Sequence, residues 1–203
     1  MRFAFLPLIA IWIAGPVWGE APVAVPSSSS ATVKIPTVKA DPEVTRQQRV
    51  DSLLGRLHSM RKTENTNAIE REITEIWDRN KSATAEVLLQ ESTVAMGGRD
   101  LDPAEKMLSQ LLETYPKFAA GWAKRAYLYH LMGRPDAALL DVDHALELEP
   151  RDYTAYALKG VILVDLNKSD EAIAAFNQAL VINPHLAAVK AGIKKIEKEQ
   201  PRV

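Results

Sequence analysis

Cysteine is absent from all 203 residues. That absence excludes disulfides, thiolate metal sites and the lipid-bearing cysteine of a lipoprotein. The fold must rest on its core alone, and 47% hydrophobic with 25% charged residues is the balance of a globular chain able to bury one. Excess positive charge is missing too. With 25 Lys and Arg against 26 Asp and Glu, nothing collects phosphates, so nucleic acid is not an expected partner. The most basic stretch, Lys190, Lys194, Lys195 and Lys198, is interrupted by Glu197 and Glu199 and reads as the solvated face of a terminal helix.

The residues that chemistry needs are scattered. His58, His130, His144 and His185 form no pair four apart and no HExxH motif, which argues against zinc. Gly97-Gly98 runs into Arg99 instead of a phosphate-binding Lys-Ser/Thr. Asp141, Asp143, His144 and Glu147 crowd one helix, but the register puts them away from Val142, Ala145 and Leu146, so they read as a solvated face. No nucleophile, cofactor or metal site can be nominated, and the chain reads as non-catalytic.

The first nineteen residues differ from the rest. Met1-Arg2 precedes an apolar run from Phe3 to Trp18, with Val17 and Gly19 as small residues before Glu20, the pattern of a secretory signal peptide cut after Gly19. Export, to the periplasm, is the expectation; an uncleaved membrane anchor is the alternative. Residues 20–41 are rich in Pro, Ser, Ala and Val and read as a solvated tether reaching roughly 60 Å at about 3.1 Å per residue.

Helical periodicity begins after the tether. Val50, Leu53, Leu54, Leu57 and Met60, then Ile69, Ile73, Ile76 and Trp77, recur at helical spacing on either side of a polar break. Residues 42–84 are expected to form a degenerate helical hairpin that caps the helices C-terminal to it. Three prolines, Pro116, Pro150 and Pro184, then stand 34 residues apart. With these in register, repeats span 85–118, 119–152 and 153–186. Small residues fall at the eighth place (Ser92, Ala126, Gly160) and the twentieth (Ala104, Ala138, Ala172), where two helices must approach closely. Large ones fall at the fourth (Leu88, Trp122, Tyr156) and mostly at the twenty-fourth (Leu108, Val142, Phe176), filling the space between pairs. Gly133 and Asn167, both at the fifteenth place, suit the left-handed backbone that ends a helix. Residues 187–199 form an amphipathic stretch fitted to cover the last repeat.

This pattern resembles the tetratricopeptide repeat family, carried most clearly by Trp122, Ala126, Tyr129, Gly133, Ala138, Ala145 and Pro150. The first copy departs from it, with Arg99 where Gly is usual, Leu111 where Ala is usual and Pro103 opening its second helix. The resemblance is to small exported bacterial members, and it implies an all-α helix-pair solenoid, a right-handed superhelix with the degenerate hairpin before it and the capping helix after. It also implies a ligand groove lined by the first helix of each repeat. Carried over place by place, the partner-binding residues are Gln90, Thr93 and Met96, then Ala123, Lys124, Tyr127 and His130, then Leu158, Val161 and Asp165. Some members clamp C-terminal carboxylates with Lys, Asn and Arg at such places; here Leu89, Thr93, Thr154 and Leu158 stand there and only Lys124 is basic, which argues against a clamp.

The implied function is a non-catalytic adaptor that binds a protein or peptide segment in the cell envelope, with membrane contact only through an uncleaved N-terminus. Self-assembly through the end repeats and an accessory role to an envelope enzyme are the alternatives. The tether segment 31–38, with Val33, Ile35 and Val38 among polar residues, could also lie in the chain's own groove.

Overall fold

The computed structural model describes residues 46–61, 64–80 and 82–199. The apolar leader, the tether and its segment 31–38 lie outside the described residues. Among those described there are nine helices and no strand: α1 (Arg46–Ser59), α2 (Asn67–Asp78), α3 (Ala83–Gly97), α4 (Leu101–Thr114), α5 (Ala119–Leu131), α6 (Pro135–Leu148), α7 (Tyr153–Asp165), α8 (Ser169–Ile182) and α9 (Ala187–Glu199). None of them is long and apolar enough to cross a membrane.

The sequence sets the helix ends. A residue before proline is pushed out of the helical region, and Tyr115, Glu149 and Asn183 accordingly adopt ψ of 65°, 86° and 98° and close α4, α6 and α8. Within each repeat the turn between helices passes through one left-handed residue: Arg99 at φ 64°, Gly133 at 69° and Asn167 at 58°. Asp152 caps α7, its carboxylate accepting from the amides of Thr154 and Ala155. Pro103 sits in the first turn of α4, where its missing N–H breaks no helical bond.

The helices pair as α3–α4, α5–α6 and α7–α8, each pair stacking on the next, with α9 on α8. The small eighth and twentieth places are buried throughout. Leu108, Val142 and Phe176 fill the cores behind them, each side chain gaining roughly 1.5–3 kcal/mol from burial. The result is the expected all-α helix-pair solenoid.

The first hairpin departs from its expected place at the base of the stack. The buried core of α3 and α4 extends to α5 and takes no residue from α1 or α2. Instead Val50, Leu53, Leu57, Ile69, Ile73 and Trp77 pack against Tyr153, Tyr156, Ala157, Ala179, Ile182 and Leu186, at the far end of the solenoid. Polar contacts fix the seat. Arg46 pairs with Glu149 at 3.4 Å, Arg151 with Asp51 and Gln47, Asn183 donates to Glu70 at 3.1 Å, and His185 Nε2 meets the Leu57 carbonyl at 3.0 Å. Periodicity reveals that the hairpin has an apolar face but not which helices receive it.

One reading of a surface is corrected. Asp141 is 5% exposed, not on a solvated face, and accepts two hydrogen bonds from Arg125 at 2.6 and 3.0 Å across the helix pair. The Arg125 guanidinium also lies over the rings of Trp122 and Tyr129, so the acid is drawn inward by a cation sixteen residues earlier. Asp143 pairs with Lys159 at 2.7 Å, and His144 lies between Glu147, at 3.1 Å, and the edge of Trp122.

Candidate functional site

The first helices of the repeats, α3, α5 and α7, carry every groove residue named from the sequence. Three of these come together. Tyr127 and His130 are one turn apart on α5, ring centroids 6.4 Å apart, and His130 Nδ1 lies 2.9 Å from the Asp165 carboxylate at the end of α7. The carboxylate stands off the direction in which the ring nitrogen would donate, so this is a close contact rather than an aligned hydrogen bond. Tyr127 also packs on the core of the first repeat, and that burial raises its hydroxyl pKa. Its ring is half anchor and half wall.

The remaining named residues divide. Gln90 is exposed, while Thr93 donates its hydroxyl back to the Leu89 carbonyl at 2.8 Å. Met96 is corrected: it is 4% exposed within the core of α3, α4 and α5 and presents nothing to a ligand. Leu158 and Val161 are partly buried, leaning on the second and third core clusters. Ala123 and Lys124 are half-buried, and Lys124 faces Asp78 at the end of α2.

The Lys124–Asp78 proximity exposes what the sequence reading missed. α2 lies against α5, and Trp77 meets Tyr153 edge to face at 5.4 Å. The hairpin therefore covers the groove where α5 and α7 begin, and Tyr127, His130 and Asp165 lie outside its apolar seat. Burial raises the Asp78 carboxyl, and Lys124 only partly offsets it. Trp77, the largest side chain on its apolar stripe, was the available signal. Among the described residues no group of three or more His, Asp or Glu is arranged to hold a metal ion.

Comparison with known proteins places this architecture. Residues 132–187 match the family model described as tetratricopeptide repeat. The match is confined to those residues, and the chain as a whole folds as a helix-pair solenoid like the domains of that class. A TPR repeat-containing protein of Rhizobium etli is 28% identical over 138 residues, covering 68% of each chain. The small glutamine-rich tetratricopeptide repeat-containing protein 2 of Mycosarcoma maydis is 27% identical over 55% of this chain and 32% of its own length. Among solved structures, the first TPR domain of Spaghetti (RPAP3), bound to the HSP90 peptide SRMEEVD, superposes with a TM-score of 0.57 at 21% identity, covering 59% of this chain and 94% of that one. The TPR domain of Sgt2 from Aspergillus fumigatus gives 0.56 at 20% identity, covering 60% and 87%. At these identities the likeness is one of fold.

Proposed function

We propose that this protein is a non-catalytic adaptor of the cell envelope that holds a protein or peptide segment along the open end of its groove. The observation that carries the reading is the juxtaposition of Tyr127, His130 and Asp165 from two stacked repeats on one face. An aromatic wall beside an imidazole and a carboxylate suits a peptide whose anchor is apolar or aromatic and whose backbone supplies the polar partner. The RPAP3 domain holds an acidic peptide. This chain is a poorer host for one, since Lys124 is already turned to Asp78 and Leu89 is buried.

Affinity capture with the wild type and with His130→Ala plus Asp165→Ala tests the groove, because these two residues lie outside the apolar clusters and the hairpin seat. Loss of a wild-type partner at unchanged melting temperature supports the reading, and full retention overturns it. Export is a separate element of the proposal, motivated by the apolar leader and its small residues before Glu20. Terminal sequencing of the protein from its native cell should begin at Glu20. A start at Met1 would remove cleavage from the reading.

A further inference from the structure

We infer that the α1–α2 hairpin is a reversible gate, seated on the mouth of the groove and able to leave as a unit while the repeats stay folded. Its regulatory meaning rests on the groove reading above; its existence does not.

The seat is an apolar patch of the solenoid itself. Tyr153, Tyr156 and Ala157 on α7 receive the hairpin's apolar face, and α2 crosses onto α5 beside Lys124. Lys124 is one of the groove residues and Ala157 stands 34 residues after another, Ala123, so a ligand running the full length of the groove and the docked hairpin compete for one surface. The hairpin adds no side chain to the buried core of the first repeat, which is closed without it. Its departure costs only its own contacts.

Those contacts contain uncompensated groups. Trp77 Nε1 and the Tyr153 hydroxyl are buried at the seat without a hydrogen-bond partner. Asn183 lies near that hydroxyl, but its amide donates to Glu70 instead. A buried orphan of this kind weakens the docked state, and departure of the hairpin returns both to water. Docking also brings Asp78 toward Asp152, whose carboxyl the Asp78 charge pushes further up in a dry place.

The acids give the gate a direction in pH. Burial lifts the Asp152 carboxyl to about 6, against the opposing pull of Thr154 and Ala155, and lifts Asp78 as well. A carboxyl whose docked pKa is raised binds more protons docked than released. Docking is therefore strongest in acid and weakens as pH climbs through about 6. The other groups facing this seat are Arg46, Asp51 and Glu70 on the hairpin, Lys124 on α5, Glu149, Arg151 and His185 in the connections, and Tyr153 on α7. His185 is the one histidine among them and needs its own control.

Hydrogen exchange of the full chain, without ligand, at about pH 5 and about pH 7.5 tests the gate through protection factors corrected for intrinsic rates. Amides of α1 and α2 should share one opening that α5 to α8 do not, with the open population roughly tenfold larger at the higher pH. Asp78→Asn with Asp152→Asn should remove most of that difference, since Asn still caps a helix, while His185→Gln should leave it. Hairpin amides that exchange only together with α5 to α8, or a pH response untouched by the double variant, would overturn the inference. No ligand is involved, so the gate can fail while the groove stands, and the reverse.

Discussion

The ring of Phe176 occupies the place where a β-carbon on Gly160 would stand, with its Cγ 2.9 Å from that point and two further ring carbons closer still. α7 and α8 meet at this contact, and the eighth place of the third repeat must therefore be glycine although its counterparts are Ser92 and Ala126. Gly160→Ala overpacks the contact at about 1–3 kcal/mol, against which better helix propensity returns roughly 1 kcal/mol. The expected outcome is an unfolding free energy lower by about 1 kcal/mol, seen as a lower urea midpoint. Introducing the same alanine beside Phe176→Leu should cost much less, and an equal cost in both backgrounds would show that the ring is not the cause.

Arg99 shares its place and its left-handed backbone with Gly133 and Asn167. For arginine that conformation costs roughly 1 kcal/mol or more. Arg99→Gly should raise stability by about 1 kcal/mol in denaturant unfolding. Gly133→Ala should lower it by a similar amount, although a β-carbon there would meet nothing within 4 Å, because the penalty is in the backbone alone.

These two sites show how far the sequence could be read. A 34-residue period fixes which places face which, so the small residues at the helix crossings, the fifteenth-place turn and the prolines could each be assigned a physical job from the chain alone. Period says nothing about a segment outside the repeat. The stripe from Val50 to Trp77 announced burial, while its neighbour, Tyr153, is set by a contact that spans more than seventy residues. Asp141 misled for a related reason: charge argues for solvent only when no cation waits on the facing helix, and Arg125 does. Met96 was assigned to the groove by its place number, yet its apolar side chain turns into the first core. Of the groove itself, Tyr127 and His130 were visible as a pair one turn apart; the Asp165 contact required the stack.

Asp141→Ala should be among the more damaging single changes on α6. It leaves the Arg125 guanidinium, whose side chain is 17% exposed, without its carboxylate, and breaking a buried pair costs about 3–5 kcal/mol before solvent relieves part of it. A loss of roughly 2–4 kcal/mol in thermal or urea unfolding is expected. Arg125→Lys keeps the charge but forfeits the two-pronged contact and the stacking over Trp122, so it too should destabilise, by less. A neutral Asp141→Ala would mean that the pair forms no part of the folded core.

Val87 and Val94 test whether the stack has a true end at α3. They stand at the third and tenth places of the first repeat, 52% and 64% exposed. At the same places Gly121 and Leu128 bury against the preceding helix pair, as do Ala155 and Ile162. Val87→Lys with Val94→Lys should therefore change stability by no more than about 0.5 kcal/mol, whereas Leu128→Lys alone should unfold the repeat. The opposite end is built otherwise: the fourth, eighth and eleventh places of α9 are Lys190, Lys194 and Glu197, a charged cap that offers no apolar stacking face. If the chain assembles on itself through this end, sedimentation velocity should show a concentration-dependent mass that the double lysine variant abolishes. Association that survives both lysines would have to use another surface, and a wild type monomeric at every concentration would leave the two valines as an end without a second copy.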